Sequence, residues 1–237
     1  MSRTKVTSLV YSSLMDIRYL WSVLSHFVVR SKQSFSKDGE DLWISQIFPE
    51  IQGTYIDIGS GHPVKNNNTF LFYKRGWKGI CVDPVPVFSI FYRLVRPRDT
   101  YFRGVCSELN EVTFYEYNPK EYSTINYSRY LDLSKHGFKP RKVRLVKGFS
   151  LEKIVREIDV TLPCLLSIDV EGSELVILKQ LFTMSFRPRV ICAEQFRNQK
   201  GVEDMLNKLG YESVSKFGKN IVFVYRDFNV GSESFIS

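Results

Sequence analysis

A glycine turn and a few acids at the ends of apolar runs carry most of the chemistry this chain could do. The run Tyr55-Ile56-Asp57-Ile58-Gly59-Ser60-Gly61-His62-Pro63 reads as a strand that passes through a glycine turn into a helix. Glycines there let a ligand touch backbone, although such a turn can also serve only to join strand to helix. The run lacks the third glycine of a dinucleotide fingerprint and the Lys-Ser/Thr ending of a phosphate loop, which argues against a phosphate cradle. Asp83 closes the next apolar run, Gly79 to Pro84, where its carboxylate can accept from both hydroxyls of a ribose or can simply start the turn at Pro84. Asp57 has its own structural alternative, a bond to the amides of the glycine turn. In Asp169-Val170-Glu171-Gly172-Ser173-Glu174 three acids crowd a helix start. Glu171 and Glu174 would complement the helix dipole, whereas Asp169 stands earlier, where the strand leaves the sheet, and fits ligand contact or chemistry. Glu194-Gln195 ends a further apolar run in the same way. His62 is a rival base, because an unperturbed imidazole titrates near neutral pH, and equally a hydrogen-bond partner within its turn.

Converging these groups requires parallel strands with their carboxyl ends on one edge, and the chain alternates short apolar runs with helical stretches in the manner of an α/β protein. Strands are expected at Thr54–Ile58, Ile80–Val82, Tyr101–Val105, Cys164–Ile168 and Arg189–Ala193, with an extended piece at Val112–Tyr117. Helices are expected at Asp41–Phe48, Asn68–Lys74, Val85–Val95, Leu151–Ile158, Ser173–Phe182 and Val202–Leu209. Tyr211–Lys216 and Asn220–Tyr225 read as an antiparallel hairpin around Phe217-Gly218-Lys219. Residues 1–32 form a separate extension, in which Leu14, Ile17, Trp21, Leu24 and Val28 recur at helical spacing. That amphipathic helix would pack on the domain at 33–237, join two subunits, or lie on an anionic membrane surface.

With 237 residues, of which 43% are hydrophobic and 24% charged, the chain can bury a sizeable core. No uncharged apolar run approaches the ~20 residues of a membrane-spanning helix. The interrupted N-terminus makes a poor signal peptide, and the four scattered cysteines form neither a zinc cage nor a disulfide framework. Buried thiols of this kind suit a reducing compartment, so a cytoplasmic protein, soluble or peripherally membrane-associated, is the expectation. The net charge is +8, and the stretch from Arg129 to Lys147 holds seven basic residues against Asp132 alone. That stretch is either a solvated mobile loop or a receptor for phosphate, acidic glycan or nucleic acid.

Taken in order and spacing, Gly39-Glu40-Asp41, Asp57-Ile58-Gly59, Asn68-Thr69, Gly76-Trp77-Lys78-Gly79, Asp83-Pro84, Ser123-Thr124, Asp169-Val170-Glu171-Gly172 and Glu194 resemble the FkbM-like family of S-adenosylmethionine-dependent methyltransferases. The resemblance spans roughly Gln33 to Phe196. It implies a Rossmann-like class I methyltransferase fold, with a mostly parallel central sheet and the C-terminal hairpin as its antiparallel end. It further implies that the Gly59 turn holds the methionine portion of S-adenosylmethionine and Asp83 the ribose. Glu40, Asp57, Ser60, Gly61, Asn68, Thr69, Pro84 and Ser107 are then expected around the cofactor, and Asp169, Glu171 or His62 at the chemistry. By analogy with catechol-type O-methyltransferases, Asp169 and Glu194, with Gln195 beside them, resemble ligands for Mg2+ or Mn2+.

Members of such a family are associated with O-methylation of hydroxyls on sugars, glycans and other natural products. The segment Ser123 to Lys147 is where an acceptor-binding insertion is expected, with Tyr122, Ser123, Arg141 and Lys142 as its contacts. Tyr122, Tyr127 and Tyr130 interleave with the basic residues, a mixture that suits a phosphorylated or acidic glycan and also single-stranded nucleic acid. Methylation of RNA ribose, and a non-catalytic interaction module on the same fold, are the competing readings.

Overall fold

The computed structural model describes residues 34–48, 52–194 and 199–227. The expected extension at 1–32 and Gln195 lie outside them. From the N-terminal side the chain runs α1 (Glu40–Ile47), β1 (Thr54–Ile58), α2 (Phe70–Lys74), β2 (Lys78–Val82), α3 (Pro86–Val95) and β3 (Thr100–Phe102). It continues through β4 (Val105–Cys106), β5 (Glu111–Glu116), α4 (Tyr127–Lys135), β6 (Lys142–Phe149) and α5 (Leu151–Val155). Then come β7 (Cys164–Ile168), α6 (Glu174–Thr183), β8 (Val190–Glu194), α7 (Gln199–Lys208), β9 (Tyr211–Phe217) and β10 (Asn220–Tyr225).

The main sheet has the order β3-β2-β1-β7-β8-β10-β9. Strands β3, β2, β1, β7 and β8 are parallel, while β10 runs antiparallel to both β8 and β9. In β1, β7 and β8 all five residues are buried, because helices cover both faces and no alternation with polar residues is permitted. Successive side chains sort into two cores. Tyr55, Cys81, Leu165 and Cys192 face one layer with Ile44 of α1, Phe72 of α2 and Phe88 of α3. Ile56, Ile58, Leu166 and Ile168 face the other, with Leu151 of α5, Ile177 of α6 and Leu206 of α7. This is the α/β plan expected, with a mostly parallel centre and an antiparallel C-terminal pair. Among the described residues no helix is long and apolar enough to cross a membrane. All four cysteines are buried free thiols that pack as small apolar groups.

Two expectations are corrected. The single strand at Tyr101–Val105 is two strands in different sheets, because the chain turns at Gly104, whose amide donates to Asp83 O (3.2 Å) and Phe102 O (3.0 Å). The basic stretch is not a mobile loop. It forms α4 and then β6, the central strand of a second sheet ordered β4-β6-β5. The Asn126 side chain caps α4 by accepting from the Arg129 amide, and β6 pairs antiparallel with β5 from Lys142↔Glu116 to Lys147↔Glu111.

Candidate active site

The carboxyl ends of β1, β2, β7 and β8 open onto one cleft of about 720 Å³, the place where an open parallel sheet binds its ligands. Its floor is the turn after β1. The Gly59 amide donates to Val82 O (2.9 Å), and the Asp169 amide donates to Ile58 O (2.9 Å), so the turns after β1 and β7 are bound back to back. Gly59 has φ +82°, and a Cβ there would fall 1.7 Å from the carbonyl oxygen of Asp169. Only glycine permits the approach that sets Asp169 beside the turn.

Asp83 closes β2 and faces the cleft. Its carboxylate accepts from the amides of Gly61 (3.1 Å) and Val85 (2.8 Å), so it holds the turn in shape while lining the cavity. Burial pushes its pKa up to about 6, against the lowering effect of those two amides. Asp57 does not bond the turn amides. Its carboxylate accepts from the Thr69 hydroxyl (2.7 Å) and the Asn67 amide group (3.2 Å), and burial raises its pKa although Arg96 opposes this. Glu40 enters from α1 and accepts from Asn220 at the hairpin (2.7 Å), which ties the two sides of the cleft mouth.

In the same cleft, carboxylate oxygens of Asp169, Glu171 and Glu194 lie within 4.8 Å of one another. Glu194 is buried, and its Oε1 is 3.3 Å from Lys219 Nζ, while Oε2 has no hydrogen-bond partner. Asp169 opens onto the cleft but is walled by protein. That enclosure, with the charges of Glu194 and Glu171, raises its pKa well above the usual carboxylate range. Burial first, and Glu194 second, push Glu171 up to about 8. Glu171 sits at φ +53°, a conformation uncommon for a residue with a side chain. It is held by the segment before α4: Thr124 Oγ1 donates to Glu171 O (3.1 Å) and Asn126 Nδ2 to Gly172 O (2.6 Å).

Of the residues expected from sequence, Glu40, Asp57, Gly59, Ser60, Gly61, Asn68, Asp83 and Pro84 line the cleft, as do Ser123, Asp169, Glu171 and Glu194. Thr69 does not. It is fully buried behind the turn, where its hydroxyl serves Asp57. Ser107 also stands outside, accepting from the Leu109 amide. Arg141 and Lys142 are exposed at the start of β6, away from the cleft, and Tyr122 packs against Phe138 (5.3 Å between rings). His62 lines the cleft, but its Nδ1 accepts from the amides of Val64 (3.1 Å) and Lys65 (3.0 Å), which places the neutral ring's proton on Nε2 and removes it as a base. Lining residues that were not anticipated include Lys120, Lys219 and Asn220. The hairpin pair could have been found from register, since Asn220 stands opposite Glu194.

Residues 57–213 match the Methyltransferase FkbM domain. No curated protein matches the chain. Among solved structures, a TehB-like SAM-dependent methyltransferase from Corynebacterium glutamicum is 10% identical, over 90% of this chain and 99% of that one, with a TM-score of 0.46. A 1,6-didemethyltoxoflavin-N1-methyltransferase from Burkholderia thailandensis, solved with bound 1,6-didemethyltoxoflavin and S-adenosylhomocysteine, is 9% identical over 90% of this chain and 87% of that one, with a TM-score of 0.40.

Proposed function

The chain belongs to the FkbM family of S-adenosylmethionine-dependent methyltransferases, and from that membership we propose that it methylates a hydroxyl oxygen of a sugar or glycan. The observation that carries the reading is the trio Asp169, Glu171 and Glu194, whose carboxylates gather in the same cleft as the glycine turn. The cleft fits the cofactor in size, with the Gly59 turn for the methionine portion and the Asp83 carboxylate for the ribose hydroxyls. When bound, S-adenosylmethionine supplies an electrophilic methyl group on a sulfonium.

The protein must then orient the acceptor oxygen and take its proton. A sugar hydroxyl is a very weak acid, so a base is matched to the task when its own pKa is raised. Asp169 and Glu171 meet that condition, and Asp169 is the nearer of the two to the glycine turn because their backbones touch. Lys219 beside Glu194 offsets part of the negative charge that three carboxylates gather. Ser123 and Thr124, whose segment bonds the Glu171 turn, form the wall on the acceptor side, in place of Arg141 and Lys142.

The unpartnered Oε2 of Glu194 favours a second reading of the same trio. Asp169, Glu171 and Glu194 would hold Mg2+ or Mn2+, hard cations that take carboxylate oxygens and that lower the pKa of a coordinated hydroxyl. Arg141 and Lys142, two of the seven basic residues in the stretch that suits nucleic acid as well as an acidic glycan, stand outside the cleft.

The test is transfer of labelled methyl from S-adenosylmethionine to a panel of sugars and nucleotide-linked sugars, with and without EDTA, alongside calorimetry with S-adenosylhomocysteine. Product carrying an O-methyl group is expected, and Asp169→Asn should abolish turnover while leaving cofactor affinity nearly intact. Methylation of nitrogen or carbon would overturn the O-methylation reading, and equal loss of both properties would reassign Asp169 to the cofactor. Turnover that EDTA removes and Mn2+ restores would select the metal reading; turnover indifferent to EDTA would select a carboxylate base.

A further inference from the structure

We propose that a second groove, behind the Asp83–Pro84 turn and outside the methyl-transfer cleft, binds a phosphoryl group. It encloses about 430 Å³, and its walls include Arg103, Arg144, Lys147, Tyr101, Leu145 and Phe149. None of the residues lining it is an acid.

The groove is built by a close backbone approach. A Cβ on Gly104 would stand 2.3 Å from Lys147 O and 2.6 Å from the Phe149 ring, so the corner between β3 and β4 is pressed onto β6. That contact sets Arg103, the residue before the corner, in one wall with Lys147. Arg144 is anchored between them and the main cleft: its Nη2 donates to Pro84 O (3.1 Å) and stands 3.2 Å from Glu116 Oε2. Tyr101 donates its hydroxyl to Asp83 O (3.0 Å).

Arg103 and Lys147 are exposed, and neither forms an ion pair among the described residues. Cations brought together without a carboxylate raise a local positive potential, which an anion relieves. Half-buried Tyr101, Phe102 and Phe149 give this potential an apolar floor, where it is less screened than on open surface. A guanidinium fork and an ammonium together suit the multiple oxygens and near-double charge of a phosphate better than a single carboxylate. The assignment does not depend on which atom the main cleft methylates.

The test uses the full chain and two probes: inorganic pyrophosphate by calorimetry, and co-sedimentation with phosphatidylcholine vesicles made with and without phosphatidylglycerol. The variants are Arg103→Ala/Lys147→Ala, which empties the groove of its two exposed cations, and Arg141→Ala/Lys142→Ala, which removes equal charge from the same sheet outside it. Thermal melting shows that each variant folds, and Arg103→Gln serves if the double variant does not. The groove variant should bind roughly tenfold or more weakly, as expected for lost charge-assisted hydrogen bonds, with the control nearly unchanged. Weakened pyrophosphate binding assigns a soluble phosphate, and weakened sedimentation with phosphatidylglycerol assigns a lipid headgroup. Binding of neither probe, or equal losses in the two variants, would overturn the proposal.

Discussion

Asp83 accepts one amide on each carboxylate oxygen, which leaves each oxygen a second lone pair, and the residue lines the cleft. Asp83→Ala should weaken S-adenosylhomocysteine binding by about 1.5 to 3 kcal/mol, the range for hydrogen bonds to a charged group, measured by calorimetry. Its pKa near 6 adds a pH dependence with a definite sign. The folded state holds the proton more tightly than the unfolded chain. The stability Asp83 contributes is therefore full only below the unfolded carboxylate pKa of 3.8 and is lost progressively as pH rises from there through about 6. Ribose hydroxyls need the ionised acceptor, so cofactor affinity should move the other way and fall as pH drops through the same value. Asp83→Asn should flatten both profiles, and a variant with the wild-type pH profile of affinity would remove Asp83 from the ribose contact. That Asp83 and Asp169 line the cleft was legible in the sequence, because a carboxylate ending an apolar run must emerge at the ligand edge of a parallel sheet. Thr69 and Ser107 were misplaced for a related reason. Position along the chain does not say which way a short side chain turns, and both turn inward to serve the backbone or Asp57.

At the scale of elements, the parallel strands β1, β2, β7 and β8 were readable because burial on both faces demands continuous apolar runs. The second sheet was not. β6 alternates cations with Val143, Leu145 and Val146 and is largely exposed, so its pattern resembles a charged loop, and only pairing with β5 makes it a strand. α4 is equally polar, and what fixes its start is Asn126. That residue does two things, capping α4 through Oδ1 and holding the β7–α6 turn through Nδ2 at Gly172 O. Asn126→Ala should therefore cost about 1 kcal/mol of stability from the lost cap. It should also lower the rate of methyl transfer through a loosened Glu171, with S-adenosylhomocysteine affinity unchanged. Denaturant melts and single-turnover kinetics separate the two effects; an unaltered rate would show that the turn holds Glu171 without this strap.

Across the molecule, the glycine turn is supported from behind by Arg96, which is fully buried at the end of α3. It pairs with Asp99 at 2.6 Å, donates to Asn67 Oδ1 (3.0 Å), Thr69 Oγ1 (3.0 Å) and Pro63 O (3.3 Å), and lies among the rings of Tyr55, Tyr73 and Tyr92. Removing one partner of a buried pair strands the other charge, so Arg96→Met should destabilise the fold by about 3 to 5 kcal/mol in urea titrations. Arg96→Met/Asp99→Asn should lose less than the sum of the two single changes, and strict additivity would refute the pairing as the source of the loss.

β8 would be an edge strand without β10, and the β9–β10 hairpin supplies both Lys219 beside Glu194 and Asn220 against Glu40. During synthesis from the N-terminus, the polypeptide that has emerged through β8 presents an apolar strand with one row of amides and carbonyls unpaired, a surface open to chaperones and to self-association. The cleft lacks Lys219 and Asn220 until that hairpin leaves the ribosome. Translational stalling before Tyr211 would thus leave an open strand edge beside an unfinished cleft.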